Sequence, residues 1–145
     1  MGSGQETPGG RETPKRILVV DDNLVNLKLA SEMMECEGYL VDRAANADEA
    51  MAAIARNRPD LILMDLALPG MDGLDLTRHI RAQEATRDIL VVALTAFAMK
   101  RDEDRAMDAG CDAYIVKPID TRKLPALLAG MLRPAKAPAD RPRPE

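Results

Sequence analysis

The segment Asp60-Leu61-Ile62-Leu63-Met64-Asp65 decides the fold. A short, continuous apolar run between two acids reads as a strand covered on both faces, and such strands belong to parallel sheets sandwiched between helices. Ile17-Leu18-Val19-Val20 and the run from Ile89 to Leu94 repeat the pattern. Tyr39 to Ala44 and Ala113 to Val116 are weaker strand candidates.

Helix signals fill the intervals. Asn23 is suited to cap a helix whose apolar positions Leu27, Ala30 and Met34 share one face, with Gly38 ending it. Asn46 with Glu49 three residues on resembles a capping box, opening a helix with Ala50, Met51 and Ile54 inward. A third helix follows Gly73, with Leu76 and Ile80 one turn apart, and a fourth runs from about Lys100 to Ala109 before Gly110. The fifth carries Leu124, Leu127, Leu128 and Met131 as its stripe, and Pro125 is tolerable there only within the first turn. Five β-α alternations predict an α/β, doubly wound parallel sheet with helices on both faces.

The 145 residues suit one domain, set at 15–133, between a low-complexity head (1–14) and a Pro-rich tail (134–145) expected to be disordered. With 46% hydrophobic and 30% charged residues, the composition is that of a globular protein. Aromatics at 2% and a net charge of −4 argue against direct nucleic-acid binding and against an anionic membrane surface. Cys36 and Cys111 are too few for a disulfide framework or a zinc site and read as two semi-buried thiols. The head has no apolar stretch that could serve as a signal or anchor, so a cytoplasmic location is expected.

Chemistry gathers at the predicted strand ends. Asp21 and Asp22 follow the first strand and Asp65 ends the third, which in a sheet of order 2-1-3-4-5 is its neighbour at the point where strand order reverses. Three carboxylates that close repel unless a cation lies among them, and an all-oxygen site with room for water suits Mg2+. Thr95 and Lys117 bring a hydroxyl and an ammonium to the same edge. A carboxylate nucleophile, a divalent ion, a lysine and a hydroxyl are what phosphoryl transfer requires, since its charge develops on peripheral oxygens. Each residue alone has a plainer reading as a solvated or capping group, and it is their coincidence that carries weight.

At these residues the sequence resembles the receiver domains of two-component response regulators. The matching pieces are Val20-Asp21-Asp22-Asn23, Asp60 to Asp65 with Leu68-Pro69-Gly70-Met71-Asp72-Gly73 behind it, Ala93-Leu94-Thr95-Ala96, and Lys117-Pro118. Together they span about Arg16 to Arg133. Thr95 to Lys100 and Gly110 to Tyr114 are similar to the single-domain, DivK-like receivers. The resemblance implies a flavodoxin-like (βα)5 fold with Asp65 as phosphoacceptor. It implies Mg2+, with Mn2+ as an alternative, held by Asp22, Asp65 and the carbonyl of Ala67, with Asp21 acting largely through water. Thr95, the amide of Ala96 and Lys117 would meet the phosphoryl group. Tyr114 would be the aromatic that turns inward with Thr95, and Pro118 would follow a cis bond.

By the same resemblance the chain is not a classical enzyme, but catalyses its own phosphorylation. The implied partners are a histidine kinase or histidine phosphotransfer protein, a downstream protein target reading helix 4, strand 5 and helix 5, and, as an alternative, a second copy of the chain. Ala67 and Phe97 stand where some relatives carry polar groups that orient water, so self-dephosphorylation is expected to be slow. Three rivals share the fold or the chemistry. A haloacid dehalogenase-type phosphatase needs a second acid at position 67, a flavin binder needs a hydroxyl- and Gly-rich loop where Asp21-Asp22-Asn23 stands, and a purely structural receiver has no need of the acids. His79, the one histidine, is expected on the surface of helix 3.

Overall fold

In the computed structural model, the residues described are 14–68, 70, 72–96, 100–117, 120 and 122–132. The five predicted strands are present as β1 (Arg16–Val20), β2 (Leu40–Ala44), β3 (Leu61–Asp65), β4 (Leu90–Thr95) and β5 (Ala113–Val116). They alternate with α1 (Leu24–Cys36), α2 (Ala47–Arg56), α3 (Gly73–Ala82), α4 (Lys100–Ala109) and α5 (Leu124–Leu132). All pairings are parallel, in the order β2-β1-β3-β4-β5. This is the flavodoxin-like doubly wound sheet that the alternation predicts.

The apolar runs are explained by burial on two sides. Alternate residues of β1, β3 and β4 enter different cores: Leu18, Ile62 and Val91 pack with α2, α3 and α4, while Ile17, Leu61 and Val92 pack with α1 and α5. β2 is an edge strand with Leu40 exposed, and its run is accordingly more mixed.

The helix ends follow their caps. Asn23 accepts from the amides of Val25 and Asn26, and Gly38 leaves α1 at φ +96°, a left-handed conformation that glycine adopts without strain. Asn46 accepts from Glu49 N, but the Glu49 carboxylate returns to Ala45 N, one residue earlier than the capping-box pattern predicts. Pro125 falls in the first turn of α5. Cys111 is buried but Cys36 is exposed, which corrects the expectation of two semi-buried thiols: Cys36 lies off the Leu27-Ala30-Met34 stripe. The expected disordered ends, the cis bond before Pro118 and the position of Phe97 fall outside the described residues. Among the described residues, no helix is long and apolar enough to cross a membrane.

Candidate functional site

The carboxyl ends of β1, β3, β4 and β5 bring the acids, Thr95 and Lys117 to one edge. Parallel pairing with Val20 opposite Met64 sets Asp21 beside Asp65, and Thr95 opposite Val116 sets Lys117 beside Thr95. Backbone bonds fix the turns: Asp21 N donates to Ala44 O at 3.0 Å, Leu66 N to Leu94 O at 3.0 Å, and Lys117 N to Thr95 O at 2.7 Å.

One oxygen from each of Asp21, Asp22 and Asp65 lies within 4.8 Å of the others. Asp21 and Asp65 are buried, at 1% and 5% exposure, while Asp22 is exposed. Each buried carboxylate divides its work between its two oxygens. Asp21 takes Asn23 N on Oδ1 at 2.9 Å, and Asp65 takes Ala67 N on Oδ1 at 3.0 Å. The remaining oxygen of each faces the Lys117 ammonium, at 3.3 Å from Asp21 and 2.9 Å from Asp65. One cation thus serves two buried anions.

Burial, reinforced by the charge of Asp65, holds the Asp21 carboxyl above the usual carboxylate range, although the Asn23 amide and Lys117 pull the other way. For Lys117, burial lowers basicity, but the hydrogen bond and charge of Asp65, with Asp21, outweigh it and leave the ammonium above its ordinary value. Such a donor set of hard oxygens with excess negative charge fits a divalent magnesium-like ion. Asp21, Asp22 and Asp65 are the residues that could hold it, with Ala67 on the rim of the adjoining cavity.

Beyond Asp65 opens a cavity of about 280 Å³, lined by Thr95, Ala96 and Lys117, by Asp72 and Leu74 at the start of α3, and by Asp102 and Arg105 of α4. Its near wall depends on Gly73. A Cβ there would come within 2.8 Å of both Asp65 O and Leu66 Cα, so only glycine lets α3 start this close to the strand end. Tyr114 is hydrogen-bonded to Thr95. Its partial burial and the nearby Asp102 and Glu103 carboxylates raise the phenol above its ordinary range. His79 is on the exposed face of α3, within 2.6 Å of Gln83, remote from this edge.

All the predicted side chains that can be described therefore gather at one edge. Sequence reasoning missed Asp72, Leu74, Asp102 and Arg105, because which face of α3 and α4 meets the cavity depends on how the helices pack. A glycine so near an acid at a strand end was the available signal for Gly73.

The family model of the response regulator receiver domain matches residues 17–129. The chain belongs to that family. The receiver is 46% identical over 106 residues to the polar-differentiation response regulator DivK of Brucella anthropi, covering 73% of this chain and 86% of the relative. It is 45% identical over 105 residues to DivK of Brucella ovis, covering 72% and 85%. A response regulator of Chloroflexus aurantiacus superposes with a TM-score of 0.79 at 30% identity, covering 83% of this receiver and 98% of that chain. The receiver domain of a Pseudomonas aeruginosa sensor histidine kinase, solved with magnesium coordinated in its active site cleft, superposes at 0.74 with 38% identity, covering 81% and 97%. Membership sets aside the phosphatase and flavin-binding rivals.

Proposed function

We propose that this receiver is a phosphoacceptor switch in which Asp65 takes a phosphoryl group from a phosphohistidine of a histidine kinase or phosphotransfer protein. The observation that carries the reading is the Asp65 carboxylate itself, pinned through Oδ1 by Ala67 N and through Oδ2 by Lys117, at the mouth of an open cavity. Fixing both oxygens orients the nucleophile in advance, which is the main service a protein can render to phosphoryl transfer.

An Asp65 oxygen attacks phosphorus as the phosphorus–nitrogen bond of the donor breaks, and the bond's electron pair stays on the departing imidazole, which takes up a proton. Lys117 keeps its contact to Asp65 and neutralises charge on the transferred group, while Thr95 and the Ala96 amide, both on the cavity wall, accommodate its oxygens. A magnesium ion held by Asp21, Asp22, Asp65 and the Ala67 carbonyl would offset the charge that builds on the phosphoryl oxygens.

Thr95 engaged by the phosphoryl group can no longer hold Tyr114 as it does here, so the change passes to α4, β5 and α5, where a partner reads it as a shift between two packings. Val116 and Leu127 lie exposed on that face.

Treating the protein with acetyl phosphate and magnesium should add the mass of one phosphoryl group, and Asp65→Asn should stay unlabelled. Equal labelling of wild type and variant would refute the assignment. Ala67 has no side-chain hydrogen bond with which to orient water, so the phosphorylated form should be long-lived. Ala67→Asn should shorten its lifetime on the order of tenfold, about 1.4 kcal/mol of positioning, by loss of label over time. No change would place control of the lifetime elsewhere.

A further inference from the structure

Helix α4 is loosely attached and strongly charged. It buries only Ala106 and Ala109, whereas α3 beside it buries Leu74, Leu76, Thr77 and Ile80. Two of its charged side chains, Asp102 and Arg105, are one turn apart and line the cavity in front of Asp65. Arg105 is exposed and forms no ion pair with any described residue. Neither its packing nor a salt bridge accounts for an arginine here.

The charge of the site after phosphoryl transfer supplies a reason. Before transfer, three carboxylates face one ammonium, a balance that one divalent cation completes. Afterwards Asp65 exchanges its single charge for a phosphoryl group of about −1.5 to −2, so the same partners leave the site negative. Asp72 and Asp102, on the cavity wall, add to the deficit. Lys117 is already committed to Asp21 and Asp65. Arg105 is the second cation of the cavity lining, and a guanidinium can offer two parallel N–H groups to two phosphoryl oxygens.

We infer that Arg105 is a phosphoryl-binding residue, drawn in from α4 once Asp65 is phosphorylated; the inference rests on Asp65 being the phosphoacceptor. The attachment of α4 permits the movement. Its C-terminal end is pinned where Arg81 donates to Gly110 O at 2.9 Å and to Asp112 at 2.7 Å, whereas its sheet-facing contacts are two methyl groups that can slide. A tilt about the pinned end carries Asp102 and Glu103 relative to Tyr114, so Arg105 gives the phosphoryl group a direct hold on the output face, parallel to the route through Thr95.

The test is binding of beryllofluoride, a stable phosphoryl mimic, with magnesium, followed by calorimetry and amide shifts on the full chain. Arg105→Gln should bind roughly tenfold more weakly, the lower end of what a charge-assisted hydrogen bond supplies, and Arg105→Lys should recover part of the loss. Arg101→Gln, which removes an exposed charge of the same helix away from the cavity, should bind like wild type. In Arg105→Gln the mimic should still shift the amides around Asp65 but move those of residues 100–109 less, with the unfolding midpoint of the free protein unchanged. Equal losses in Arg101→Gln and Arg105→Gln, or none in either, would overturn the role of Arg105 while leaving Asp65 as acceptor. A wild type that neither binds beryllofluoride nor is labelled at Asp65 would overturn the phosphoacceptor reading itself.

Discussion

The two ends of the sheet treat their acids in opposite ways. At the amino end, where the strands begin, the half-buried Asp42 and Asp60 and the exposed Asp112 each have donors of their own. Asp42 meets Arg16 at 2.9 Å, Asp60 accepts Arg16 N at 2.8 Å, and Asp112 takes both Arg81 at 2.7 Å and Val91 N at 2.9 Å. At the carboxyl end, Asp21 and Asp65 share one lysine, with Asp22 close by. The first arrangement meets two of its three acids with a guanidinium and the third with a backbone amide; the second leaves three carboxylates to one ammonium. On the proposed function the former serves stability and the latter chemistry, because a site that already balanced its charge would have no use for a cation or a phosphoryl group.

The sharpest test of the contrast is Arg81. Its guanidinium donates to the carbonyls of Gly110, Arg87 and Ile89 as well as to Asp112, joining the end of α3 to the starts of β4 and β5. Arg81→Ala strands these acceptors and should cost about 2–3 kcal/mol of folding stability by urea unfolding, the range for charged hydrogen bonds lost from a half-buried site. A loss no larger than that of an exposed ion pair, about 0–1 kcal/mol, would break the comparison.

At the other end the sign should reverse. Asp21→Asn keeps an oxygen for the Asn23 amide and removes a buried negative charge beside Asp65, so without divalent cations the variant should be more stable than wild type by on the order of 1 kcal/mol. Adding magnesium should stabilise wild type by RT ln(1 + [L]/Kd) and the variant less, narrowing the gap. A destabilised variant in chelator would mean that Lys117 already balances the site.

The difference between the ends is also a difference in what the sequence discloses. The acids of the carboxyl end are legible because they interrupt apolar runs: Asp21 follows Val20 and Asp65 follows Met64, and strand order then brings them together. The matching at the amino end is not, since Arg81 reaches Asp112 across 31 residues and nothing local marks the pair. Arg105 and Asp102 escape for a related reason. The length of α4 is readable from Lys100 to Gly110, but with only two small buried residues its pattern does not say which side meets the sheet. The exposed Cys36 shows the same limit at a helix terminus, where a residue one step off the stripe turns outward.

The smallest expected effect is a pH dependence that separates the ends further. Burial, and secondarily the charge of Asp65, holds the Asp21 carboxyl above its unfolded value of 3.8 despite the Asn23 amide and Lys117. Between those two values the folded chain binds more protons than the unfolded one. By linkage, this group's contribution to stability therefore falls as pH rises through that window and stays low above it. The usual carboxylate, paired and lowered, behaves the other way. Lys117 does not obscure the effect. Its raised value makes its contribution complete below 10.5 and lost only as pH rises through the folded value, far from the acid window. In chelator, wild type and Asp21→Asn should therefore differ least in urea midpoint below pH 3.8, where the unfolded carboxyl is protonated too, and separate as pH rises toward about 7. A gap that is constant across this range, or that closes as pH rises, would mean that Asp21 is ionised at no cost and that the two ends of the sheet are balanced alike.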